Sequence, residues 1–357
     1  MYATPPVPAF ARDAGIQPRF IAARPASSRA NAGISRRSRR ALPAGSGALL
    51  ANRCVMSRQC AWSVAAFAIL LCPAAAASQE LEPGAYWPLP RGLNVATAVN
   101  SYNWGDVTFE ATAPIDEASS KINTTALSFT RAFNLAGRSA NVGLAFPIVA
   151  GHIEGLYLGS PAEAERFGLG DPRVRLAMNV YGAPSMTPQQ FGAYQLRTIV
   201  GVSLTTVMPL GEYDSSKLIN VGLHRWSFKP EIGVAHGVGR WVVEVMAAVW
   251  FFTGNDEFLG TRLREQEPIV ATQLHLTYRF SRSMWLAGNA NFFRGGRTTI
   301  DGNQSIDFQN NSRIGVTLSK AFDRHQSIRV AVSTGAYTTI GNSFTQVAVG
   351  YNYAWVK

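Results

Sequence analysis

The sequence predicts an all-β protein: one closed antiparallel barrel of about twelve strands. Three observations lead there. Beyond residue 92 the chain repeats a single theme, roughly ten residues of alternating polarity and then a turn. No segment in that region carries an apolar stripe at helical spacing long enough for a substantial helix, and none is an uninterrupted apolar span. Connection lengths also alternate. Short links fall at about 134–138, 237–239, 281–283 and 323–325, with one longer link at 182–194. Between them lie long links at 103–121, 150–170, 209–222, 253–266, 295–309 and 336–343. A barrel inserted into a membrane from one side leaves short turns at one end and long loops at the other, whereas a soluble sandwich has no reason to.

The strands follow in order. Segments 92–102, 122–133 and 139–149 come first, with 103–112 either a further strand or part of the first loop. In 171–181, Val174, Leu176, Met178 and Val180 oppose Arg173, Arg175, Ala177 and Asn179. Segment 195–208 is less polar. In 223–236, Trp226, Phe228, Ile232 and Val234 oppose Arg225, Lys229, Glu231 and Gly233. Segment 239–252 precedes 267–280, where Val270, Leu274, Leu276 and Tyr278 oppose Ala271, Gln273, His275 and Arg279. After 284–294, Ile314, Val316 and Leu318 oppose Arg313, Gly315 and Thr317 in 310–322, and Ile328, Val330 and Val332 oppose Arg329, Ala331 and Ser333 in 325–335. The last strand, 345–355, sets Val347, Val349, Tyr351, Tyr353 and Trp355 against Gln346, Ala348, Gly350, Asn352 and Ala354.

Such alternation also suits a water-soluble sheet, but there the polar face would be a Lys/Glu mixture. Here it is Gly, Ala, Ser, Asn and Thr with scattered arginines, and charged residues make up 15% of the chain. That composition fits a strand with lipid on one side and an enclosed polar lumen on the other. Lipid offers backbone groups no partner, so the sheet must close. The expectation is a transmembrane barrel of the bacterial outer-membrane type, with both termini in the periplasm. Trp241, Phe251, Tyr351, Tyr353 and Trp355 near strand ends fit interfacial girdles. Trp250 and Trp285 fall on the polar side, as pore lining or as marks of a local bulge.

The net charge of +11 suggests a polyanion partner until it is located. Residues 1–77 hold ten arginines, no lysine and one acid, Asp13. Taking these from the totals of 33 and 22 leaves 23 basic and 21 acidic residues in 78–357, close to neutrality, so no nucleic-acid partner is expected. Cys54, Cys60 and Cys72 all precede residue 78, so the barrel region has no disulfide, thiolate nucleophile or Cys-based metal site. From Met56, a basic start, the apolar run AWSVAAFAILLC and the small-residue exit Ala75-Ala76-Ala77 form a signal peptide over 56–77, cleaved near Ala77. Residues 1–55, rich in Pro, Ala, Ser and Arg, read as a non-native or disordered extension upstream of a true start at Met56. Residues 78–91 are expected to be a periplasmic segment or a plug, and loop 150–170 is a second candidate plug.

Parity places Arg173, Arg175, Arg197, Arg225, Lys229, Glu231, Glu244, His275, Arg279, Arg313 and Arg329 in the lumen. An Arg or Lys facing the lipid midplane costs about 2–4 kcal/mol, so energetics agrees with parity. These groups either brace the interior as ion pairs or form a basic constriction for anionic or aromatic solutes. Arg225, Trp226, Lys229 and Glu231 are the densest cluster. An enzyme would need a gathered nucleophile, base and orienting group. His152 and His224 fall in or beside long loops, His236 and His325 in turns, and His275 points inward. None has metal-ligand spacing, and Gly-x-Ser-x-Gly is absent.

The C-terminal GYNYAW resembles the outer-membrane assembly signal, with Gly350, Tyr353 and Trp355 at the matching positions. Ala348 stands where a polar residue is usual, and Val356-Lys357 extend past the usual end. Six further stretches resemble the outer-membrane family named for the MetA pathway of phenol degradation. They are NVYGAPSMTPQQF (179–191), PLGEYDSSKLINVGLHRWSFKPEIGVAH (209–236), FFTGNDEF (251–258), REQEP (264–268), FFRGGRTTIDG (292–302) and STGAYTTIGNSF (333–344). The resemblance implies a barrel acting as a channel for small, often aromatic, compounds. The expected function is passive passage of a small solute, with aromatic and hydrophobic compounds as the candidate class. A lipid hydrolase and a structural barrel without transport are the alternatives. No cofactor or metal is expected; the expected partners are outer-membrane lipid, the barrel-assembly machinery acting on the last strand, and the solute.

Overall fold

A computed structural model describes residues 81–108, 115–157 and 159–357. The expected extension 1–55, the signal peptide 56–77 and residues 78–80 lie outside the described residues.

In chain order the first strands are β1 (Leu93–Thr108), β2 (Ile115–Leu135), β3 (Arg138–Tyr157), β4 (Ser160–Leu169) and β5 (Arg173–Tyr181). A short helix, α1 (Pro188–Ala193), precedes β6 (Thr198–Val207), β7 (Ser227–Val238), β8 (Trp241–Phe252), β9 (Asn255–Phe258) and β10 (Arg262–Gln266). Then come β11 (Ile269–Arg279), β12 (Met284–Gly295), β13 (Thr298–Ile300), β14 (Asn303–Gln304), β15 (Gln309–Ala321), β16 (Gln326–Tyr337) and β17 (Gly341–Val356). Twelve of these form the wall in the order β1, β2, β3, β5, β6, β7, β8, β11, β12, β15, β16, β17, each antiparallel to the next. Closure comes from β17 against β1, in unbroken register from Leu93↔Val356 to Thr108↔Gly341.

One end carries only tight links: residues 136–137, 239–240, 280–283 and 322–325, plus the α1 connection at 182–197. Ala136 and Gly137 in the first have positive φ, as a two-residue hairpin matched to strand twist requires. The α1 connection stays compact because Thr187 and Gln190 form a reciprocal capping box with Pro188 at the first helical turn. The other end is built up. Strand β4 extends the wall above β5 by pairing with the upper half of β3. The loops following β8 and β12 join into a separate four-stranded sheet, β14-β13-β10-β9.

Three expectations are corrected here. Residues 103–108 continue β1 instead of forming a separate strand. Loop 150–170 is the β3–β4 hairpin, in the plane of the wall and not across the lumen. The expected long link at 336–343 shrinks to 338–340 because β16 and β17 run on as strands.

The wall has two chemically distinct faces. On β8, Val243 and Val245 are half-exposed while Glu244, Met246, Ala248 and Trp250 are buried. On β11, Val270, Leu274 and Leu276 are exposed while Gln273, His275 and Thr277 are buried. In water that outward row would be an apolar patch far beyond what soluble proteins tolerate, whereas in lipid it is the required surface. Aromatic clusters border it. At the short-turn end Trp241 packs on Tyr278 and Trp355 on Phe129; towards the other end Trp226 stacks on Phe228, which pairs across strands with Phe251. Trp241 and Phe251 are ten positions apart on β8. At ~3.3 Å per residue and ~40° tilt that spacing spans about 25 Å of height, the hydrocarbon band of an outer-membrane barrel.

Candidate functional site

The inner face follows from the same period of two. Arg173 and Arg175 on β5, Lys229 and Glu231 on β7, Glu244 on β8, His275 on β11, Arg313 on β15 and Arg329 on β16 are all buried, as is Arg225 just before β7. Two members of the expected set lie elsewhere. Arg197 is exposed and precedes β6, because that strand starts at Thr198, three residues later than the expected segment 195–208. Arg279 ends β11, where its Nη2 donates to the Gly239 carbonyl at 2.7 Å and ties two short turns together.

Glu231 is the hub. Its carboxylate lies 3.8 Å from Arg175 Nη2 and 3.6 Å from Lys229 Nζ, and it accepts from Tyr86 Oη at 2.9 Å and from Gln273 Nε2 at 3.5 Å. The cations also lie over aromatic faces: Arg175 over Tyr86, Lys229 over Trp250, Arg225 over Phe252, Arg313 over Phe344 and Arg329 over Trp285. A cation over a ring keeps its charge while shedding water, which suits a confined polar interior. His275 Nδ1 sits 2.8 Å from Asn289 Oδ1, and Asn289 donates onward to Thr317 Oγ1 at 2.9 Å. Trp250 and Trp285 are both inward and buried, with no bulge in the β8 or β12 pairing there.

Residues 81–91 lie inside the ring. Every residue from Glu82 to Pro90 is buried. The Glu82 amide donates to Gln273 Oε1 at 3.0 Å, and the Gly84 amide to both oxygens of Glu244 at 3.1 Å. The Trp87 ring meets Trp285 edge-on at 5.7 Å, and the Leu89 amide and carbonyl both bond to Ser139 Oγ. Tyr86 is held most specifically. Its hydroxyl reaches Ser203 Oγ at 3.0 Å as well as Glu231. Its ring lies over Gly201 and Gly233, which face each other across β6 and β7. A methyl group on Gly201 would fall 2.1 Å from the ring, and one on Gly233 2.3 Å. Two paired glycines thus open a slot in the wall one ring wide. Sequence reasoning placed Gly233 and Gln273 inward but missed Tyr86 and the slot, because the partner lies over a hundred residues away in sequence.

Residues 209–226, the first part of the most family-like stretch 209–236, form the outer-end loop around Asp171. This half-buried carboxylate accepts from the Gly211 amide at 2.9 Å and the Leu223 amide at 2.8 Å, clipping both legs of the loop to the start of β5. Burial raises its carboxyl above the usual range despite those two bonds. Asp171→Ala leaves two amides without their acceptor and is expected to cost about 1–3 kcal/mol locally. Limited proteolysis reads this as faster cutting within 209–226 with the barrel intact; unchanged cutting would show that the clip is dispensable.

A cavity of about 340 Å³ lies at the short-turn end, lined by Trp87, Phe191, Tyr194, Leu196 and Phe280 with Arg240, Arg279 and Arg282. It separates residues 87–88 from α1. Among the described residues no group of three or more His, Cys, Asp or Glu is placed to hold a metal.

A closed wall of twelve antiparallel strands, an apolar belt between aromatic girdles and a charged interior define a transmembrane β-barrel of the outer-membrane type. The chain belongs to the family described as "Putative MetA-pathway of phenol degradation", whose model matches residues 105–357. Its fold is similar to that of an outer membrane channel from Pseudomonas putida F1, with TM-score 0.64 and 19% identity, over 77% of this chain and all of that one. More distant similarity extends to the transport unit of the autotransporter AIDA-I from Escherichia coli, with TM-score 0.44, 9% identity, and coverage of 74% and 90%. The CymD monoaromatic hydrocarbon channel aligns at TM-score 0.38 and 8% identity, covering 75% and 89%. Comparison with curated proteins finds no significant sequence match.

Proposed function

We propose that the barrel is a bacterial outer-membrane channel, not an enzyme, through which a small aromatic or hydrophobic solute passes down its gradient. The observation that carries this reading is the interior itself: a closed wall enclosing cations that lie over aromatic faces, with Glu231 as their shared counter-ion. Such a lining takes a ring by cation–π contact and a negative group by charge. The family description points towards phenol breakdown, and the similar Pseudomonas putida protein is described as an outer membrane channel. In this reading a signal peptide ending near Ala77 directs export, the short-turn end and both termini face the periplasm, and the assembly machinery engages Gly350, Tyr353 and Trp355 on β17. Residues 81–91 act as a plug.

Planar-bilayer recording tests the proposal. In the presence of a small aromatic solute at millimolar concentration, purified folded protein is expected to give stepwise currents with a reversal potential that favours anions, since Arg173, Arg175, Lys229, Arg313 and Arg329 outnumber Glu231 and Glu244 on the buried inner face. Absence of current from folded protein, with release of fatty acid from lipid in detergent, would replace the channel by the hydrolase.

A further inference from the structure

We propose that the slot between Gly201 and Gly233 is a binding site for hydroxylated single-ring aromatics, occupied in this structure by the chain's own Tyr86, and that such a solute passes by taking Tyr86's place. The proposal rests on the channel reading for the passage, but not for the site.

The Tyr86 side chain is itself a phenol, and everything that holds it would hold a free one. The two glycines remove the Cβ atoms that would strike the ring. The Arg175 guanidinium lies 5.3 Å from the ring centroid. The hydroxyl is read twice, by Glu231 Oε1 and Ser203 Oγ. A plain apolar plug would need none of these. A site that hydrogen-bonds a hydroxyl discriminates strongly against the analogue lacking it, because its polar groups are otherwise left unpaired. Tyr86 is a tethered occupant, and tethering by a short linker gives an effective concentration in roughly the millimolar range. A free solute competes only at comparable concentration, so the barrel is closed until its solute is abundant.

The test compares p-cresol, which reproduces the tyrosine side chain, with toluene, which lacks only the hydroxyl. In bilayers containing the wild-type protein, millimolar p-cresol is expected to raise the current saturably, with toluene needing at least about tenfold more. Tyr86→Ala is expected to conduct without solute and to be blocked by p-cresol. Gly233→Ala fills the slot, so it is expected to conduct without solute and to ignore p-cresol. A p-cresol response retained in Gly233→Ala overturns the site. Calorimetric titration of Tyr86→Ala with the two compounds reads the slot without any current. Preference for p-cresol upholds the site even where no variant conducts, a silence that would overturn the channel reading alone. Equal binding of p-cresol and toluene reduces the slot to an apolar hole and overturns the proposal.

Discussion

Glu231→Ala is expected to cost about 3–5 kcal/mol, the range for removing one member of a buried charged group and leaving the rest uncompensated. Arg175, Lys229, Gln273 and the Tyr86 hydroxyl all converge on this one carboxylate from three strands and the N-terminal segment. With it gone, the Arg175 guanidinium and the Lys229 ammonium lose their shared carboxylate in a confined space, and residues 81–91 lose a central tether. The temperature at which the folded band disappears on a heat-modifiable gel is expected to fall markedly. Glu231→Gln keeps an acceptor for Tyr86 and is expected to lie between wild type and alanine. An unchanged transition in Glu231→Ala would mean that water or another acid already neutralises the cations.

Val245→Arg is expected to have the next largest effect. Val245 is 44% exposed on the outer face, flanked in register by Val234 on β7 and Leu274 on β11, near the middle of the girdle-to-girdle span. An arginine there faces hydrocarbon and costs about 2–4 kcal/mol. Equilibrium unfolding in lipid vesicles should show that loss, with a much smaller one for Val245→Leu. If Val245→Arg were neutral, the outer face would be bathed in water and the membrane assignment would fail.

The twelve wall strands were legible because each is long enough for a period of two to show, and because lipid and lumen impose opposite chemistry on alternate positions. In 223–236 the alternation placed Lys229, Glu231 and Gly233 inward, and these face the interior. Arg197 failed because parity says which way a residue points only once it lies in a strand, and β6 begins at Thr198. The link after residue 336 was misjudged because the polar, glycine-containing text TTIGNS reads as loop, yet pairing with the neighbouring wall keeps 341–344 extended. The Tyr86 slot was not legible at all. Glycine on the inner face of a small barrel is common and carries no label for what fills it. Only the three-dimensional register Gly201↔Gly233, with an aromatic ring delivered from before β1, gives the pair a meaning.

The two-faced wall is tested most directly by fluorescent labelling of single cysteines in vesicle-reconstituted protein, since residues 78–357 contain no native cysteine. Labels at Val234, Val245 and Leu274 are expected to be quenched by a lipid-borne quencher, and labels at Ser203, Gln273 and Asn289 to be shielded from it. Equal quenching of both sets, or a protein that stays monodisperse without detergent and shows all six labels to aqueous iodide, would contradict the barrel and every function built on it.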